Sequence, residues 1–101
     1  MKVLATRDAI GMADDMISED KSLELDFSGL EVRELIELIL SHKKFLAFAS
    51  DTAYRISSSG LQVATIENYK VLLSPGSPAF LKDLPLSSGV LRLEFRHFNL
   101  N

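Results

Sequence analysis

Between Leu23 and Ala49 the hydrophobic pattern changes period twice, and no other feature restricts the fold as much. Leu23, Leu25 and Phe27 alternate with Glu24 and Asp26, the period of two that a strand with one buried face requires. Apolar residues then fall at Val32, Leu35, Ile36 and Ile39, the spacing of one helix face, broadened by Leu38 and Leu40. Ser28 and Glu31 match a capping box, with Ser28 as N-cap and Glu31 reaching back, so the helix is expected from Gly29 to about His42. Glu31, Glu34 and Glu37 lie toward its start and His42, Lys43 and Lys44 at its end, which suits the helix dipole. Phe45 to Ala49 carries no polar residue, as expected of a central strand covered on both faces.

The flanking segments extend this strand–helix–strand order. Val3 to Ala5 reads as a short first strand, and Thr6 as the N-cap of a helix from Arg7 to about Ser18, followed by a polar turn over Glu19–Ser22. Ser50 to Ile56 fits either a loop or a short helix, and Leu61 to Asn68 either a helix or a strand. Val71 to Ser74 reads as a strand that Pro75-Gly76-Ser77-Pro78 breaks. Ser77 can then cap a short helix with Pro78 at its first position and Phe80, Leu81 and Leu84 turned inward. Leu91, Leu93 and Phe95 alternate with Arg92, Glu94 and Arg96 in a last, half-exposed strand. The expected fold is α/β: a single-layer mixed or mostly parallel sheet of four to five strands, with helices mainly on one face, in one domain over residues 1–101.

Composition excludes several classes of function. The chain has no cysteine, hence no disulfide framework, thiolate zinc site or cysteine nucleophile. A net charge of −3, with eleven scattered Lys and Arg, argues against nucleic acid as the main partner. No apolar run approaches the roughly 20 residues that cross a bilayer, and acidic residues enter the N-terminal segment too early for a secretory leader. A soluble, cytoplasmic protein without direct membrane insertion is expected, with 47% apolar residues to supply its core.

Little in the sequence resembles a catalytic constellation. His42 and His97 have no neighbours at metal-ligand spacing, and Asp14-Asp15 and Glu19-Asp20 read as solvated acids. Ser74 to Pro78 lacks the spacing and lysine of a nucleotide-binding loop. No cofactor, metal or catalytic residue is assigned. The one concentrated feature is Ser57-Ser58-Ser59-Gly60, read as a turn between a strand and a short helix, where hydroxyls and free N–H groups can hold an anion or cap the helix.

From Leu23 onward the order of elements resembles the STAS family, the domain of anti-sigma-factor antagonists. Leu23-Glu24-Leu25-Asp26-Phe27 is similar to the segment that opens that family's helix, and Phe45 to Ser50 to its next strand. Ile56-Ser57-Ser58-Ser59-Gly60-Leu61 resembles its D-S-S-G-L turn, Lys70 to Pro75 its later strand, and Pro78 to Leu84 its last helix. The similarity spans about two-thirds of the chain. Ser57 stands where the family has Asp, the stretch after Gly60 is short, and the first strand and helix are extra; a second register places Leu25 to Gly29 on the central strand. The resemblance implies phosphorylation at Ser58 or Ser59, with Ser57 and Gly60 as the adjacent turn and the surrounding surface as a partner's docking face. A non-enzymatic regulatory module that binds a protein partner is therefore the leading expectation. A scaffold subunit completed by another chain through Phe95, Phe98 and Leu100 is the second, and a small enzyme the third.

Overall fold

The computed structural model describes residues 1–8, 22–42, 45–46 and 52–99. Six strands form one sheet: β1 (Lys2–Arg7), β2 (Ser22–Asp26), β3 (Thr52–Ser58), β4 (Leu61–Glu67), β5 (Lys70–Leu73) and β6 (Val90–Asn99). Their order is β2-β1-β6-β3-β4-β5. One helix, α1 (Val32–Leu40), and a one-turn 3-10 helix (Leu81–Asp83) complete the described elements.

This corrects the expected sheet of four to five strands under several helices. Only β1 and β6 are parallel, with Val3 opposite Leu91 and Ala5 opposite Leu93; the other four pairings are antiparallel. The reason lies in the turns. Ser59 and Gly60 have φ of 49° and 85°, Asn68 and Tyr69 of 52° and 64°, and Ser88 and Gly89 of 53° and 78°. Two consecutive residues with positive φ make the tight turn whose twist joins adjacent antiparallel strands. The first two pairs connect β3 to β4 and β4 to β5. The third leads into β6, where Ser87 and Val90 exchange backbone hydrogen bonds of 2.9 and 3.0 Å.

The core lies between one face of the sheet and α1. Val3 and Ala5 of β1, Leu91, Leu93 and Phe95 of β6, Tyr54 and Ile56 of β3, and Ile66 of β4 are buried together with Val32, Leu35, Ile36 and Ile39 of the helix. The helical stripe is the one expected, except that Leu38 is exposed. Burying each of those four side chains contributes about 1.5–3 kcal/mol, the largest local reason for the helix to form where it does.

Several local expectations are overturned. The capping box does not form: the helix begins at Val32, Glu31 is its extended N-cap, and no side chain bonds there. Residues 30–32 are instead drawn against the segment before the 3-10 helix, through Val32 N–H to Ala79 O and Leu81 N–H to Leu30 O, both 2.9 Å. Thr6 and Arg7 belong to β1 and Asp8 follows it, so Thr6 caps no helix; residues 9–18 of that expected helix and residues 19–21 lie outside the described residues. Phe45 and Leu46 are buried but sit in a turn, with Phe45 N–H bonded to His42 O, and the Phe45 ring meets Phe95 edge-on at 5.4 Å. Residues 47–49 lie outside the described residues, and the two central strands of the described sheet are β6 and β3. Ser57 and Ser58 end β3, and the ambiguous stretch after Gly60 is the strand β4. Finally, Ser77 caps nothing: its hydroxyl donates to Pro78 O, and Phe80, at the start of the 3-10 turn, is exposed.

Candidate functional site

The serine turn comes out differently from its sequence reading. Ser57-Ser58-Ser59-Gly60 closes the β3–β4 hairpin, so no helix N-terminus lies beneath it. Ser58 faces the core, is 0% exposed, and its Oγ has no hydrogen-bond partner among the described residues. Ser59 stands exposed at the turn, Ser57 is half-buried, and Gly60 supplies the second positive φ. The two serines singled out together therefore have opposite environments.

His97 pairs with Asp8. Its backbone N–H donates to Asp8 Oδ1 at 3.1 Å, and its Nδ1 lies 3.0 Å from Oδ2, so the carboxylate clasps the strand beyond the end of β1. His42 follows the helix, exposed. Among the described residues no group of three or more His, Cys, Asp or Glu side chains is placed to hold a metal.

A larger hollow of about 600 Å³ lies between α1 and β5, lined by Arg33, Glu37, Leu40 and Ser41 from the helix and Tyr69 to Leu72 from the hairpin. The amphipathic helix sets one wall: its buried stripe faces the core and so turns Arg33 and Glu37, four residues apart, to the surface. The β4–β5 hairpin sets the other. Arg33 joins them by donating from its guanidinium to Val71 O at 2.7 Å. In an antiparallel ladder alternate residues turn their N–H and C=O away from the partner strand, and β5 is the last strand of the sheet. Arg33 thus occupies an outward carbonyl on an edge that would otherwise offer itself to another strand.

Tyr69 marks this hollow. It holds φ of 64° in the turn and keeps 66% of its surface exposed. A bulky residue in the left-handed region is uncommon and costs about 1–2 kcal/mol, and an Asn or Gly would relieve that cost. Leu40, half-buried at the end of α1, adds an apolar group to the lining, whereas Leu72, paired with Thr65, turns its side chain to the opposite face of the sheet. A smaller, mostly apolar hollow of about 280 Å³ opens near the start of α1, between Met1, Leu30 and Phe80.

Sequence reasoning missed the hollow because its walls come from segments some forty residues apart. The available signal was Asn68-Tyr69 between two apolar runs, a two-residue hairpin turn whose second position is an aromatic. No family model, curated protein or solved structure matches the chain.

Proposed function

We propose that this protein is a non-enzymatic interaction module that docks a protein partner in the hollow between α1 and β5. The observation that carries the reading is Tyr69: an aromatic side chain held at positive φ and left largely exposed on the rim of the hollow between α1 and β5. Backbone strain of this kind collects at functional positions, and exposed aromatics flanked by apolar and guanidinium groups are the usual anchors of protein interfaces. A regulatory role fits this module, with Ser59 rather than Ser58 as the serine open to phosphorylation, since only Ser59 is exposed.

The test is Tyr69→Gly. Relief of strain should leave stability unchanged or raise it by about 0.5–1 kcal/mol, while loss of the ring should remove partners captured from the native host, measured by quantitative proteomics against wild type. An unchanged set of captured proteins with Tyr69→Gly overturns the reading, as does a large loss of stability in that variant.

A further inference from the structure

The face of the sheet turned away from α1 carries a second feature, independent of the hollow. Along β6 the residues of this face are Arg92, Glu94 and Arg96, all exposed, then Phe98. On β3 the same face carries Arg55, directly opposite Arg96, and Ser57, opposite Glu94. Like charges directly opposite one another on neighbouring strands repel and destabilise the sheet. Among the described residues no carboxylate comes within ion-pair distance of Arg55, Arg92 or Arg96. Arg55 lies over the Phe98 ring at 4.7 Å, which holds its planar fork on the surface. Two interior strands thus concentrate guanidinium groups where evolution could cheaply have placed a threonine.

We propose that this face binds an extended acidic peptide, with one carboxylate at Arg92 and a second, four residues along, at the Arg55–Arg96 pair. Four strand residues span about 13 Å and bring side chains back to the same face, which matches the separation of Arg92 from Arg96. Guanidinium groups bind carboxylates through paired, charge-assisted hydrogen bonds. Glu94 selects the pattern: it sits between the two basic positions, so the residue midway between the carboxylates must be neutral or basic. That requirement disfavours a nucleic acid strand, whose evenly spaced phosphates would bring one against Glu94. The exposed Glu24 and Asp26 of β2, on the same face, repel a uniform polyanion further.

The experiment is fluorescence anisotropy at low salt with a labelled peptide carrying two glutamates four residues apart and a lysine midway. Comparison ligands are a peptide of the same composition with adjacent glutamates, and oligothymidylate. The spaced peptide should bind at least about tenfold more tightly than the other two, and Arg96→Thr or Arg92→Thr should weaken it by about tenfold. Arg96→Thr should also raise the thermal midpoint, because it removes the repulsion with Arg55, whereas Arg92→Thr should not. Equal binding of the two peptides, tighter binding of oligothymidylate, or absence of saturable binding overturns the proposal. A fall in thermal midpoint with Arg96→Thr overturns it too, since Arg96 would then be structural. Tyr69→Gly should leave this binding intact, so failure here is distinguishable from failure of the hollow.

Discussion

Ser58 and Ser59 are adjacent, chemically identical and separated by the pleat. Ser58 is fully buried and its hydroxyl has no partner among the described residues, so Ser58→Ala removes a desolvated polar group and should be neutral or stabilising by up to about 1 kcal/mol. Ser58→Asp should destabilise severely, by burying a charge without a partner. Ser59→Asp, at an exposed turn position that Asp tolerates, should change stability by no more than about 0.5 kcal/mol. Urea midpoints of the three variants check this, and similar midpoints for the two Asp variants would contradict it. Gly29 gives a second residue-scale expectation. A Cβ placed there would come within 2.7 Å of Cε2 of Phe27, whose ring packs against the core, so Gly29→Ala should cost about 1–3 kcal/mol, measured the same way.

At the scale of elements, α1 should behave as its burial dictates. Ile36→Asp, in a wholly buried position, should abolish or nearly abolish folding, and Glu37→Gln, exposed, should shift stability by no more than about 0.5 kcal/mol. Circular dichroism during urea denaturation distinguishes them. The helix stripe and the alternating runs at Leu23–Phe27 and Leu91–Phe95 were readable in the sequence because each buries one regular face. The β3–β4 hairpin was not. A bulge between Ile56 and Ser57 shifts the register, so Val63 and Ala64 are both buried and the period of two is lost over β4. The Phe45–Leu46 run misled for a related reason: continuous apolar sequence records burial, and here a turn delivers it. One clue lay in plain view. Ser87-Ser88-Gly89-Val90 repeats the pattern of Ser58-Ser59-Gly60-Leu61, and in both the Ser-Gly pair is a hairpin turn. The serine cluster is therefore explained by backbone geometry before any chemistry is invoked. The hollow beside Tyr69 could not be read in advance, because it exists only once α1 lies along the sheet's edge strand.

For the whole molecule, the decisive fact is where β6 sits. It lies between β1 and β3, pairing with residues some ninety positions earlier on one side and about forty on the other. Interior strands should exchange their amide hydrogens most slowly, so protection should peak in Leu91–Phe95 and be lower in β2 and β5; the reverse order would contradict the topology. Pairing so distant in sequence also places folding in the slower, millisecond-to-second range of small domains. On a ribosome this has a further meaning. Until β6 has left the exit tunnel, the β1–β2 ribbon and the β3–β4–β5 meander each lack the neighbour that buries one edge, and neither half can close the core around α1. Every nascent copy therefore passes through an interval with two unsatisfied sheet edges, and its yield in the cell depends on how well that interval is shielded from other chains.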